Sequence, residues 1–352
     1  ETMPPVVELG PLVGILVAYP SRRYLPFLRA ARERHVEAFL FTPRGASLRR
    51  RRVYGYQWTN KGWRKRLFPW PDAIYDRYTG KMGKTGRVRL LKALQRGGSP
   101  VFNGFVGYKW GIYQRLRRNP DLRPYLPETY RLRSPRTLFS LLRRWRGVYL
   151  KPSEGHKGRG VLRVRRIGPG RYAVRRSYAR GLLVCGKARL RSLVRRLTAG
   201  RRYLVQREIV VAPVGRSVWD VRALAQRNAR GEWEISGLAA RIGRPNSIVS
   251  NLHGGGRARS LEGLAAQFPG FSQLPERARQ LALQVAQAVQ AFSPLVGELG
   301  IDLGVDRRGK LWLIEVNPKP GRQAFRTIGG SRTRRAIYAL PFEYSRFVSG
   351  FA

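Results

Sequence analysis

Cysteine, histidine and long apolar runs are scarce in this chain of 352 residues. Cys185 is the single cysteine, which excludes an intramolecular disulfide and a cysteine-based zinc site, and its apolar neighbours favour a buried position. The three histidines, His35, His156 and His253, are too few and too scattered for a histidine metal cluster. No apolar run has the length of a membrane span, and Leu12–Tyr19 is too short and lacks the basic leader of a signal peptide. We therefore expect a protein of the cytoplasm without a membrane span.

Acidic residues are also scarce, since 70 Lys and Arg stand against 20 Asp and Glu, for a formal net charge of +50. Hydrophobic residues make up 43%, so the chain can build packed cores and is not a disordered polycation. A strongly basic surface attracts nucleic acid, acidic polymers or anionic membranes. No nucleic-acid module is recognisable, so nucleic acid is a partner suggested by charge alone. An arginine-rich proteome, or a hot or acidic habitat, is the alternative explanation of the charge.

The first part of the chain has the pattern of an open α/β domain. Leu12–Tyr19 is a buried strand in this interpretation, Tyr24–His35 a basic amphipathic helix and Val36–Thr42 a second strand. The following segment, 43–66, is rich in arginine and aromatic residues and is expected to be a loop. The simpler interpretation of this segment is a solvated basic surface, and the more specific one is a contact with a polyanion.

The few acids gather in the segment Glu298–Arg322. Apolar and polar residues alternate there with period 2 on both sides of a turn at 307–310, which predicts a hairpin of two strands. The expected pairs are Asp306 with Leu311, Val305 with Trp312, Leu303 with Ile314, Asp302 with Glu315 and Ile301 with Val316. One face is then wholly apolar, and the other carries the acids together with Leu311 and Leu313.

Three oxygen-bearing side chains, Asp302, Glu315 and Asn317, meet at one end of this hairpin if the register is right. Hard oxygen ligands with room for water and phosphate suit Mg²⁺, which takes one or two carboxylates from a protein. A solvated hairpin with exposed acids is the alternative. Because acids are so rare in this chain, their clustering favours a cation site.

The acid trio followed by Pro318–Arg322 resembles the metal-binding end of the ATP-grasp superfamily, and specifically its YheC/YheD-type group, described as endospore-coat-associated. The resemblance extends from Pro71–Arg77 (PDAIYDR) to the C-terminus. It implies an ATP-grasp fold of mixed α/β and α+β class with ATP and Mg²⁺ as cofactors. The implied domains are an N-terminal α/β domain (1–98), a nucleotide lobe with a glycine-rich lid (99–205) and a C-terminal lobe with the metal site (206–352). Association with the spore is implied as well.

By this resemblance, Lys109 and Lys151 approach the nucleotide phosphates from two different strands. Each could equally be one more surface cation, but Lys151 ends a buried strand. The loop Ser153–Val161 follows, and its glycines allow backbone N–H groups to approach phosphates closely. These are Gly155, Gly158 and Gly160. A plain hairpin turn also explains such a loop, which is neither a Walker A motif nor a dinucleotide fingerprint because a strand follows it.

A second group of implied nucleotide contacts lies at the hinge between the lobes. In the family this segment pairs with the adenine edge, which implies Gln206, Glu208 and Ile209 here, with Glu208 near the ribose. An ordinary strand with Glu208 exposed is the alternative. Arg241 resembles the basic residue at the transferred phosphoryl group. On the strand that begins at Trp219, Asp220 and Arg222 alternate onto one face, where they pair with each other or line the cleft.

The segment Ser250–Gly256 resembles a loop S-N-L-x-x-G-G of this group and of RimK-like glutamate ligases, where the loop lies against the triphosphate and the acceptor. The match implies contacts from Asn251, Gly254 and Gly255. His253 has no evident carboxylate partner in the sequence, so a general-base role is not favoured.

The resemblance implies an ATP- and Mg²⁺-dependent carboxylate ligase in which an acyl phosphate is attacked by an amine or another nucleophile. Arg241, Asn251 and Lys319 are the implied catalytic residues, and the carboxylate and amine substrates are unknown. Phosphoryl transfer needs mostly positioning and charge neutralisation. The alternatives are a non-catalytic protein with a structural role in a spore coat, or a basic protein that binds acidic polymers. The complete acid trio argues against a degenerate site.

Overall fold

The computed structural model describes residues 10–155, 158–179 and 181–351, so His156 and Lys157 of the predicted phosphate lid lie outside the described residues. The described chain forms three sheets, which follow one another along the sequence. Within these ranges, no helix has the length and apolar character needed to cross a membrane. The domain limits 1–98, 99–205 and 206–352 stay a prediction.

The first sheet is built around parallel strands. Its elements are β1 (Leu12–Leu16), α1 (Leu25–Arg32), β2 (Glu37–Ser47), β3 (Arg52–Thr59), β4 (Gly62–Pro69), β5 (Ala73–Asp76), α2 (Lys84–Arg96) and β6 (Val101–Phe102). The strand order is β4-β3-β2-β1-β5-β6, and β1 pairs in parallel with both β2 and β5. The predicted βαβ start is confirmed.

The prediction of a loop over 43–66 is wrong, because β2 runs on to Ser47 and β3 and β4 form an antiparallel hairpin. Aromatic contacts hold this hairpin: Trp58 packs edge-on against Trp63 at 5.1 Å, and Phe68 stacks on Phe39 of β2 at 4.0 Å. Aromatic residues alternate with polar ones along β3, a period-2 signal that the density of arginine obscures.

The second sheet is antiparallel and carries two helices. Its elements, with the helix that precedes it, are α3 (Lys109–Leu116), β7 (Thr129–Arg131), α4 (Pro135–Arg144), β8 (Gly147–Pro152), β9 (Leu162–Gly168), β10 (Arg171–Arg176), β11 (Leu183–Gly186), α5 (Lys187–Thr198) and β12 (Tyr203–Arg207). The order is β11-β10-β9-β8-β12-β7. Apolar side chains of α4 and α5 pack on strands β8 to β12 in one core, which includes Cys185, buried as predicted.

The third sheet is also antiparallel, in the order β15-β14-β13-β16-β17 once its strands are numbered along the chain. The elements are β13 (Trp219–Arg227), β14 (Trp233–Ile242), β15 (Arg257–Arg259), α6 (Leu261–Ala265), α7 (Leu274–Gln290), β16 (Glu298–Val305), β17 (Leu311–Asn317), α8 (Gln323–Ile328) and α9 (Ser331–Ser349). Helix α7 packs against the sheet, and α9 contacts both this sheet and the first one, through β5 and α1.

The register of the β16–β17 hairpin is predicted correctly at one end. The confirmed pairs are Asp302 with Glu315 and Ile301 with Val316. Towards the turn the predicted register is wrong, because a β-bulge at Ile314 shifts the pairing by one residue. The observed pairs are Leu303 with Leu313, Gly304 with Trp312 and Val305 with Leu311. Leu311 and Leu313 therefore join the core, while Ile314 and Glu315 both line a cleft.

Candidate functional site

A cleft lies between the second and the third sheet. Its walls carry Lys151 of β8 and Gln206 of β12 on one side, and Asp220 of β13, Arg241 of β14 and Asp302 of β16 on the other. Other lining residues that the sequence singles out are Lys109, Gly158, Ile209, Asn251 and Glu315. Motifs from widely separated parts of the chain thus meet in one place.

Lys151 supplies a cation on the wall of the second sheet. Its Nζ donates a hydrogen bond to Gln206 Oε1 at 2.6 Å, and Gln206 Nε2 in turn donates to Thr129 Oγ1 at 3.1 Å. Burial lowers the pKa of Lys151 to about 8, against the opposing effect of the Glu315 carboxylate. A lysine held by a neutral amide keeps its capacity to bind an anion.

Lys109 brings a second cation to the cleft, with its Nζ at 3.4 Å from Glu315 Oε1. The prediction that Lys109 lies on a strand is wrong, because helix α3 begins at this residue. Glu315 therefore lies beside a cation, Lys109, and opposite a carboxylate, Asp302, on the neighbouring strand.

Two arginines hold the acids of the third sheet. Arg241 donates to Asp220 Oδ1 at 2.7 Å and Oδ2 at 2.6 Å, and lies 2.9 Å from Asp302 Oδ2. Arg222 donates to the same Asp302 carboxylate at 2.5 and 3.1 Å. Asp220 thus lines the cleft, as one predicted alternative has it, and the pairing of Asp220 with Arg222 is wrong because each faces a different partner directly across the sheet.

The charges of this group are fixed by its mutual contacts. Burial opposes ionisation of Asp302, but the Arg222 and Arg241 guanidiniums hold the pKa of its carboxyl below the ordinary value. Burial likewise opposes the charge of Arg241, yet Asp220 and Asp302 raise the pKa of its guanidinium. Asp302 and Arg241 are therefore both charged at neutral pH.

The donor set of the predicted metal site is compatible with Mg²⁺. Asp302 and Glu315 lie directly opposite each other, and Asn317 follows two residues later, where its Oδ1 accepts the backbone N–H of Lys319 at 3.0 Å. Among the residues that the structure describes, no cluster of three or more Asp, Glu, His or Cys could hold a metal. Two carboxylates are nevertheless sufficient for Mg²⁺, which completes its shell with water and phosphate.

The two glycine loops approach each other at the edge of the cleft. Gly158 has φ of +68°, a conformation that favours glycine, and a Cβ placed there would lie 2.6 Å from Asn251 Nδ2, so the two loops are in close contact. Of the other predicted contacts, Gly155 and Gly160 do not belong to the described cleft lining, nor does Gly255. Gly254 lines an adjoining cavity together with His253.

Two predicted site residues lie elsewhere. Arg165 donates to the Glu208 carboxylate at 2.7 to 3.0 Å, and Glu208 lines a different pocket from the described cleft, so this placement does not support a position near a ribose. The alternative prediction, that Glu208 is exposed, is also wrong, since the Glu208 side chain is 7% exposed. Lys319 Nζ lies 2.6 Å from Asp76 Oδ1 in the first sheet and 3.3 Å from the Asn103 carbonyl. Burial lowers the pKa of Lys319 to about 7.

Two lining residues were missed by the sequence interpretation as functional candidates. Tyr149 lines the cleft two residues before Lys151, and burial raises the pKa of its phenol to about 12. Ser250 lines it as well and donates from Oγ to Asp220 Oδ2 at 2.5 Å. The period of the strand gives the signal for Tyr149, since residues two apart share a face.

The fold is that of the ATP-grasp proteins. The structure of the ATP-grasp ligase PsnB complexed with minimal precursor, Mg and ADP matches with a TM-score of 0.54 at 12% identity, over 96% of this chain and 98% of that one. The D-alanine-D-alanine ligase from Coxiella burnetii matches with a TM-score of 0.54 at 12% identity, over 96% of both chains.

The family is defined more narrowly by sequence. A family model described as YheC/D like ATP-grasp matches residues 98–348, and this chain belongs to that family. The endospore coat-associated protein YheD of Bacillus subtilis (strain 168) is 25% identical over 97% of this chain and 80% of its own length. The predicted ATP-grasp fold and YheC/YheD-type membership are confirmed.

Proposed function

We propose that this protein is an ATP- and Mg²⁺-dependent carboxylate ligase. The observation that carries the proposal is the arrangement of charge in the cleft. Lys151 of the second sheet and Lys109 at the start of α3 line the same cleft as Asp302 and Glu315 of the third sheet. Phosphoryl transfer requires cations that hold the phosphates and, close to them, oxygen ligands that hold a metal.

The residues present fit Mg-ATP. Lys109 and Lys151 would hold the phosphates, with Gly158 allowing close approach, and the segment Gln206–Ile209 would receive the adenine edge. Asp302 and Glu315, with Asn317 beside them, would hold the metal. Mg²⁺, when bound, neutralises charge on the terminal phosphates.

Arg241 and Asn251 are the residues that we assign to the transferred group. Two carboxylates, Asp220 and Asp302, orient the Arg241 guanidinium without any rearrangement, and such preorganised charge stabilises a developing negative charge most effectively. The Asn251 amide lies against Gly158, at the loop that would face the phosphates. Lys319 receives no catalytic role in this proposal, because Asp76 and two backbone carbonyls occupy its ammonium group.

The reaction has two balanced steps. An oxygen of the acceptor carboxylate forms a bond to the terminal phosphorus of ATP, the bond from that phosphorus to the bridging oxygen breaks, and ADP leaves. The amine nitrogen then bonds to the carbonyl carbon of the acyl phosphate, phosphate leaves, and the nitrogen loses a proton.

Association with an endospore coat is a second proposal, supported by the description of the Bacillus relative.

The test is a calorimetric titration with a non-hydrolysable ATP analogue, with and without Mg²⁺. Glu315→Gln is the decisive variant, since its carboxylate is a third exposed and its described ion pair, with Lys109, is loose. We expect the magnesium-dependent part of the affinity to fall about 10- to 100-fold in this variant and in Asp302→Asn. The exposed Glu276→Gln is the matched control and is expected to behave as wild type.

Binding that ignores both magnesium and the two substitutions would overturn the proposal. If the expected dependence is found, release of ADP in the presence of candidate carboxylates and amines follows the reaction itself. Wild-type protein that binds Mg-ATP but releases no ADP with any acceptor pair would favour the non-catalytic alternative.

A further inference from the structure

A second cavity, of about 980 Å³, adjoins the cleft on the side of the two glycine loops. It lies between the end of β10 with Tyr178, Ala179 and Gly181 and the loop that follows β14. Five arginines line it, and no acidic residue is part of its described lining. They are Arg159, Arg175, Arg176, Arg216 and Arg244.

The positive charge of this cavity is uncompensated. In the described ranges, none of the five arginines forms an ion pair with a carboxylate, whereas the arginines of the neighbouring cleft are paired. Arg175 donates from Nη1 to the Asn246 carbonyl at 2.8 Å, so one edge of its guanidinium is held by the loop that follows β14. Five guanidinium groups around one void, without a carboxylate partner in the described ranges, suit an anion from outside the chain.

The cavity and the cleft meet at Tyr178. Gly158 lines the cleft and the next residue, Arg159, lines the cavity. A Cβ at Gly158 would lie 3.2 Å from Tyr178 Oη, and one at Gly254 would lie 2.3 Å from the Tyr178 ring. Asn251, at the end of the cleft where the proposed function places the transferred phosphoryl group, therefore lies at the boundary with this cavity.

We propose that this cavity binds the acceptor, and that the acceptor carries several carboxylates. The inference rests on the proposed function and extends it to the class of substrate. Guanidinium groups bind carboxylates through paired hydrogen bonds, and five of them around one void suit a molecule with more than one negative charge. A cavity of this size also holds more than a simple acid. One carboxylate would enter the cleft, and the others would remain on the arginines.

The test is binding of a fluorescein-labelled triglutamate peptide, measured by fluorescence anisotropy with the non-hydrolysable ATP analogue and Mg²⁺ present. The variant replaces three exposed cavity arginines, as Arg176→Gln with Arg216→Gln and Arg244→Gln. The control replaces three exposed arginines of α5, as Arg191→Gln with Arg195→Gln and Arg196→Gln, and removes the same charge.

We expect the cavity variant to bind the peptide at least about tenfold more weakly, because contacts between charged groups are lost, and the control to change by about twofold or less. Affinity for the ATP analogue and the melting temperature are expected to stay as in wild type in both. Competition with citrate distinguishes the sources: displacement only by peptides assigns an acidic peptide, and equal displacement by citrate assigns a small polycarboxylic acid.

Several results would overturn this inference. An oligonucleotide that binds more tightly than the peptide with the same arginine dependence would make the cavity a nucleic-acid site. Loss of ATP-analogue binding in the cavity variant would assign the arginines to the triphosphate, and equal weakening in the control would reduce the effect to net charge. No peptide binding by a wild-type protein that does bind the nucleotide would refute the inference alone, whereas absent nucleotide binding would refute the proposed function.

Discussion

Two carboxylates on the same strand, Glu298 and Asp302 of β16, have the same kind of partner but lie in different surroundings. Each is held by two arginines: Arg77 and Arg322 for Glu298, and Arg222 and Arg241 for Asp302. Glu298 also accepts hydrogen bonds from Tyr75 at 2.6 Å and Gln226 at 3.2 Å.

What covers the two groups differs. Glu298 is fully buried where the first sheet meets the third and α9, whereas Asp302 borders a cleft opposite Glu315. The contacts of Glu298 are with residues of both sheets, so we interpret this group as a lock between them. An acid paired with arginines is thus not by itself a sign of a ligand site; an adjoining void is the additional requirement.

Glu298→Gln is expected to give the largest effect on stability. It leaves Arg77 and Arg322 buried without a counter-charge, and breaking a buried pair in this way costs about 3–5 kcal/mol of unfolding free energy. Urea unfolding measures the loss. The exposed Glu276→Gln is expected to change stability by about 0.5 kcal/mol or less.

The same lock has a pH dependence with a defined sign. Burial opposes the charge of Glu298, but Arg322 and Arg77 hold its pKa below the ordinary carboxyl value. Its stabilising contribution is therefore complete above the ordinary value and is lost as the pH falls through the lower, folded-state value. A Glu298→Gln variant as stable as wild type would contradict the assignment of this group as a lock.

The sequence predicts the hairpin of β16 and β17 well, and for a physical reason. Period-2 alternation reports which side chains share a face, and together with the turn at 307–310 it places Asp302 opposite Glu315. The bulge at Ile314 has no such signal, because Leu313 and Ile314 are both apolar and exchange faces without a change in pattern. Local patterns therefore gave the acid pair of the site but not the walls around it.

Contacts between separate sheets were beyond the sequence. Lys319 lies two residues after Asn317, and the direction of the chain at Pro318 and Pro320 decides whether its side chain reaches the cleft. In the structure this direction carries the lysine towards Asp76 of the first sheet. Likewise, the partner of Arg241 depends on the register between β13 and β14, where a bulge near Ala225 intervenes.

Lys319→Met tests the position of this lysine, which the sequence assigns to the cleft and the structure places against Asp76 of the first sheet. We expect a loss of about 1–3 kcal/mol in unfolding free energy, because two buried carbonyls lose their donor, and an affinity for the ATP analogue within about twofold of wild type. The exposed Lys92→Met is the control. A tenfold loss of affinity with unchanged stability would restore Lys319 to the site.

Lys151, in the cleft beside Asp302, gives the most specific expected effect, which is a change in how the affinity for the ATP analogue depends on pH. Since burial lowers its pKa to about 8, the free protein must take up a proton to bind phosphates above that pH. Affinity for the ATP analogue is therefore expected to fall with rising pH above about 8, by up to about tenfold for each pH unit. The phosphates are fully ionised throughout this range and add no slope of their own. Lys151→Arg, which stays charged, is expected to bind with an affinity independent of pH between about 8 and 10. The same slope in wild type and Lys151→Arg would show that another group titrates, and that Lys151 does not hold the phosphates.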